Sequence, residues 1–124
     1  MAYEKNKKIL IVEDNEDVRR MMKIYLTRSG YQVIEARDGY EAVEKAIEAR
    51  PDMILMDIAM PILDGIDAVQ AIRQHADLAE IPIVALSAYG DFYRERAYRV
   101  GCNDVLQKPV NLDLLPPLVK RYIH

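Results

Sequence analysis

A chain of 124 residues, 51% hydrophobic and 30% charged, is long enough for one real core and too short for two, so it reads as a single domain over residues 1–124. A formal net charge of -3 excludes the positive footprint that direct, non-specific nucleic-acid binding needs. The lone cysteine, Cys102, excludes an intrachain disulfide, and no apolar run approaches the roughly 18 residues of a membrane span, which points to a cytoplasmic chain with no membrane contact.

Lys8 to Val12 is a wholly apolar run after its first residue, the mark of a strand buried on both faces, and it ends on the acid pair Glu13-Asp14. Asn15 then caps a helix with Val18, Met21, Met22, Tyr25 and Leu26 on one face, closed by Gly30. Tyr31 to Ala36 is a second strand, less apolar and therefore nearer an edge. Asp38 and Glu41 make a capping-box start for a helix that turns Ala42, Val43, Ala46 and Ile47 inward and stops at Pro51.

The most informative stretch is Met53 to Asp57, an apolar run that halts on one carboxylate. Pro61 ends extended pairing after it, and Asp64-Gly65 supplies turn and capping chemistry for a helix through about Gln74, with Ala68, Val69 and Ile72 facing the sheet. Ile81 to Leu86 is a fourth strand ending on Ser87-Ala88. Asp91 caps a fourth helix that ends at Gly101, and Asn103 to Gln107 is a short fifth strand ending on Lys108-Pro109. The last helix carries Leu112, Leu115, Leu118, Val119 and Tyr122 in phase. An N-cap at Asp113 would put Pro116 and Pro117 in the first turn, leaving Leu115 before a proline in the helical region that such residues avoid.

Five strands alternating with five helices imply right-handed crossovers and a doubly wound α/β parallel sheet. Its carboxyl edge, where such sheets place their chemistry, would then gather Glu13, Asp14, Asp57, Ser87 and Lys108. Three crowded acids suit a hard divalent cation, and Mg²⁺ fits best because it needs only one or two carboxylates. Beside it Asp57 would be a nucleophile toward a phosphoryl group, with Ser87 and Lys108 neutralising the transferred oxygens.

The order of acid pair, Asp57 followed by Met60-Pro61 and Asp64-Gly65, Ser87-Ala88 and Lys108-Pro109 resembles the receiver domain of two-component response regulators, over essentially the whole chain. The resemblance implies a flavodoxin-like sheet of order 2-1-3-4-5 and phosphorylation of Asp57 from the phosphohistidine of a histidine kinase or histidine phosphotransfer protein. It implies Mg²⁺ held by Asp14, Asp57 and the Ala59 carbonyl, with Glu13 acting mainly through a coordinated water. Ser87 would be the switch hydroxyl and Lys108, before a cis Pro109, the phosphoryl-binding lysine. Ala59 and Tyr89 stand where the family tunes phosphoryl lifetime.

Two departures stand out. Val105 occupies a position that is often Tyr or Phe, so propagation is expected through the Ser87 loop and the helix after it, and a downstream effector is expected on the Ala88 to Val105 region with its Tyr89, Phe92, Tyr93 and Tyr98. The tandem prolines bear on any family-type homodimer through the last helix, which is left open. The chain is expected to be a switch that catalyses only its own phosphorylation and dephosphorylation. A haloacid dehalogenase type of hydrolase would want a second acid two residues after Asp57, where Ala59 stands. The remaining alternative is an unphosphorylated receiver-like adaptor, whose signature would be loss of an acid, the lysine or the nucleophile. Cys102 reads as a small buried residue, and His75 and His124 as solvated.

Overall fold

The computed structural model describes residues 7–58, 64–88 and 91–123, the side chains of residues 91 and 92 excepted. The apolar runs become β1 Lys8–Val12, β3 Met53–Asp57 and β4 Ile83–Ser87, and the shorter, more polar segments become β2 Gln32–Ala36 and β5 Asp104–Gln107. Between and after them run α1 Glu16–Arg28, α2 Gly39–Ala49, α3 Gly65–Arg73, α4 Asp91–Val100 and α5 Leu115–Tyr122. The strands are all parallel in the order β2-β1-β3-β4-β5, the flavodoxin-like doubly wound arrangement, with the less apolar β2 at one edge. No helix among the described residues is long and apolar enough to cross a membrane.

Strand alternation sorts the core into two layers. Leu10, Val12, Ile54, Met56, Ile83, Ala85 and Val105 pack with residues of α2, α3 and α4, among them Ala42, Ala46, Val69, Ile72 and Ala97. Ile9, Ile11, Met53, Leu55, Val84 and Leu86 pack on the other face with Met22 and Leu26 of α1 and Leu115, Leu118 and Val119 of α5.

Local chemistry fixes the helix starts. The side chains of Asn15, Asp38 and Asp64 accept from the backbone amides of Val18, Glu41 and Asp67, as the capping pattern requires. Gly30 and Gly101 stand just beyond α1 and α4 with φ of 97° and 114°, a conformation open to glycine at little cost.

Four expectations need correction. Val18 and Met21 on α1 and Ile47 on α2 are exposed, because among the described residues no neighbouring element covers the outer edge of either stripe. Helix α4 begins at Asp91 itself, so that residue is its first and not its cap. Strands β2, β4 and β5 start one or two residues later than their sequence patterns suggest. Asp113 does not cap α5: a 3-10 turn at Leu112–Leu114 comes first, with the Asn111 side chain accepting from the Asp113 amide, and α5 starts at Leu115. Both prolines do lie in its first turn, and Leu115 adopts helical dihedrals of -63° and -50°.

Candidate functional site

The strand order decides which strand-end groups become neighbours. Alternation carries Glu13 onto the α1–α5 face in phase with Ile9 and Ile11, and Asp57 onto the same face in phase with Met53 and Leu55. Lys108, two past Leu106, continues that face from β5. Ser87 follows Ile83 and Ala85 onto the opposite face, toward α4. It is fully buried, and its carbonyl accepts from the Lys108 amide at 2.8 Å.

The Lys108 ammonium lies 3.0 Å from Glu13 Oε1 and 3.0 Å from Asp57 Oδ2, bridging two carboxylates that are almost completely buried. Exposed Asp14 completes a set of three acids whose nearest oxygens all lie within 4.8 Å of one another. Glu13 Oε2 accepts from the Asn15 amide at 3.1 Å, while Oε1 has no hydrogen-bond donor among the described residues beyond its ion pair with Lys108. Burial pushes the Glu13 carboxyl up to about 7; the Lys108 hydrogen bond opposes that rise and the charge of Asp57 adds to it. For Lys108, burial favours the neutral amine, yet the two carboxylates outweigh it and raise its pKa.

One lysine among three acids leaves an excess of negative charge and an all-oxygen donor set, the chemistry of a site for a small hard cation. Acids whose nearest oxygens lie within 4.8 Å of one another fit such an ion. A cleft of about 750 Å³ opens above the acids, its far wall formed by Val18, Met21, Val110 and Leu112. The expected ligand Ala59 and the lifetime position Tyr89 lie outside the described residues, as do the Phe92 side chain and His124.

The structure thus brings Glu13, Asp14, Asp57 and Lys108 into direct proximity and sets Ser87 one strand away on the other face. The Lys108–Pro109 peptide is cis. Val105, in place of an aromatic, is a buried member of the α2–α4 layer. In the aromatic-rich segment, Tyr93 packs on that same layer, whereas Tyr98 is half exposed and donates to Asp104 Oδ1 at 3.2 Å. Tyr122 of α5 donates to Oδ2 of the same carboxylate at 3.3 Å. Cys102 is buried, which pushes its thiol up to about 11, and His75 is exposed.

Two features were missed from the sequence. The apolar wall of the cleft was missed because Val18 and Met21 were assigned to the core. Arg19 went unread in the sequence, although it stands three and seven residues before Met22 and Leu26, on the buried stripe.

Comparison with known proteins gives a consistent picture. Residues 9–120 match the family model described as the response regulator receiver domain. The chain is 35% identical over 120 residues to the polar-differentiation response regulator DivK of Brucella anthropi, covering 94% of this chain and 96% of that one. The chemotaxis protein CheY4 of Vibrio cholerae superposes with a TM-score of 0.89 at 33% identity, over 94% of this chain and 98% of that one. The receiver domain of a Pseudomonas aeruginosa sensor histidine kinase, solved with magnesium coordinated in its active-site cleft, superposes at 0.87 with 37% identity, over 95% and 98% of the two chains.

Proposed function

The chain belongs to the family of response regulator receiver domains of two-component signalling, and from that premise we propose that it is a Mg²⁺-dependent switch that accepts a phosphoryl group on Asp57. The observation that carries this reading is the Lys108 ammonium held 3.0 Å from both Glu13 and Asp57, at the mouth of a three-acid cluster. A donor phosphohistidine is the chemical partner: an Asp57 oxygen attacks phosphorus, the P–O bond forms as the P–N bond breaks, and the donor ring, protonated on its other nitrogen, leaves with the P–N electron pair as neutral imidazole. Asp14 and Asp57 would hold Mg²⁺ with the Ala59 carbonyl, Glu13 joining through water. Bound there, the ion would neutralise phosphoryl oxygens as charge develops on them.

The residues of the chain divide the remaining work. Buried Asp57 presents its carboxylate with little freedom to reorient, which favours in-line attack. Lys108 can exchange one carboxylate partner for a phosphoryl oxygen, and the Ser87 hydroxyl would follow that oxygen, drawing the start of α4 with it. On this reading the unit is one receiver domain over residues 1–124, which catalyses only its own phosphorylation and dephosphorylation. Its donor is a histidine kinase or histidine phosphotransfer protein, and its output is a partner protein or domain met through residues 88–105.

Intact mass after incubation with Mg²⁺ and acetyl phosphate tests this. A gain of one phosphoryl group that is lost in Asp57→Asn and with a chelator is the expected result. No gain by folded, Mg²⁺-binding protein would refute the reading and leave the unphosphorylated adaptor in its place.

A further inference from the structure

The backbone of the acid pair is held by a residue that pairs with none of the three clustered carboxylates and does not line the cleft. The β1 ladder ends at Val12, paired with Ala36, and α1 begins only at Glu16. Between them the Glu13 amide still donates to the Ala36 carbonyl at 3.1 Å, but the Glu13 carbonyl has left the sheet and precedes the helix. Arg19 Nη1 donates to that carbonyl at 2.9 Å in a buried bond. The same guanidinium donates through Nε to Glu35 Oε1 on β2 at 3.2 Å, and Lys23 pairs with Glu35 Oε2 at 3.1 Å. Arg19 is 9% exposed, so its plane is gripped at both ends inside the protein.

The Glu13 carbonyl and the Asp14 amide are one planar peptide unit, so fixing the carbonyl fixes the direction in which Asp14 leaves the strand. The exposed Asp14 side chain has no hydrogen bond or ion pair with the described residues, which leaves the backbone to aim it. We propose that Arg19 is a positioning residue for divalent-cation binding, holding the Glu13–Asp14 peptide so that both carboxylates face Asp57. The proposal deepens the phosphoacceptor reading and rests on it for the identity of the cation.

Arg19→Gln and Arg19→Met both remove the donors, and Arg19→Met keeps an apolar stem in the core to secure a folded protein. Glu35→Gln is the control: it removes the ion pair and leaves the Arg19 bond to the Glu13 carbonyl in place. Mg²⁺ titrations followed by amide NMR should show the Kd raised about tenfold to a hundredfold in the Arg19 variants, the usual effect of losing a partner one step behind a metal ligand. The Asp14 amide resonance should also shift before any Mg²⁺ is added. Glu35→Gln should change the Kd by less than about threefold, because an ion pair that is partly exposed is worth little.

A folded Arg19 variant with wild-type Kd and an unmoved Asp14 resonance would overturn the proposal. So would a Glu35→Gln protein that reproduces the full loss, since that would trace the effect to the ion pair alone. Wild-type protein that binds no Mg²⁺ would instead refute the phosphoacceptor reading, and the metal-free Asp14 resonance would still decide the role of Arg19.

Discussion

Gly65 offers the sharpest test of how tightly the site is built. It opens α3, and a Cβ added there would stand 2.4 Å from the Asp57 carbonyl oxygen and 2.5 Å from Ile58 Cα. Ordinary contact between such atoms is about 3.5 Å, so Gly65→Ala demands a displacement of about 1 Å. Both neighbours are backbone, and the Gly65 amide donates to the Ile58 carbonyl at 3.3 Å, so helix and strand end cannot part freely. At an unhindered helical position the same change would stabilise by about 0.4–1 kcal/mol. Here overpacking should cost about 3 kcal/mol, the upper end of its usual range, and the net effect is destabilising. Urea denaturation followed by circular dichroism reads the sign. The displaced backbone belongs to Asp57, so phosphorylation by acetyl phosphate, followed by intact mass, should slow by about a hundredfold, as misplacing a reacting group by 1 Å does. A Gly65→Ala protein at least as stable as wild type, with an unchanged phosphorylation rate, would refute the reasoning.

Other consequences can be measured independently. The buried Cys102 thiol, pushed up to about 11, should resist alkylation at pH 8 in folded protein and react promptly in urea; fast labelling of the native state would contradict its burial. Lys23 and Arg19 hold the Glu35 carboxyl below its ordinary range by their hydrogen bonds, overcoming the opposing effect of burial. A depressed folded-state pKa stabilises above the ordinary carboxylate range and is lost as pH falls through the folded value. The thermal midpoint of wild type should therefore fall more than that of Glu35→Gln between pH 7 and pH 3. Burial, followed by the Asp104 carboxylate, raises the Tyr122 phenol, so Asp104→Asn should lower its titration midpoint in ring-carbon NMR; an unmoved midpoint would dismiss the Asp104 contact.

Strand ends were legible because a strand buried on both faces leaves an unbroken apolar run, and the polar residue that stops it marks the sheet edge. Asp57 and Glu13 were found that way, and parallel topology then brought them together. The caps at Asn15, Asp38 and Asp64 were legible because each acts within three residues of itself. What failed depends on where neighbouring elements end. Helical phase put Val18 and Met21 on the inward stripe, but it cannot tell that this stripe runs past its cover and out over the cleft. The start of α5 was misread because Asp113 looked like a cap, while Asn111 had already begun the 3-10 turn ahead of it. Gly65 was read for its turn, and its close approach to the Asp57 carbonyl exists only once α3 has folded back on β3.

The strands that carry the site are not equally secured. Those bearing the acids, β1 and β3, are flanked on both sides, whereas β5, which delivers Lys108, is a four-residue margin that among the described residues pairs only with β4. Peeling that margin away breaks a single ladder, and such marginal units sit at the low end of the free-energy scale for local opening. The pocket thus has an anchored anionic floor and a detachable cationic wall. Amide exchange in β5 should accordingly outpace that in β1 and β3, and each opening would withdraw the pocket's cation while every carboxylate stays in place.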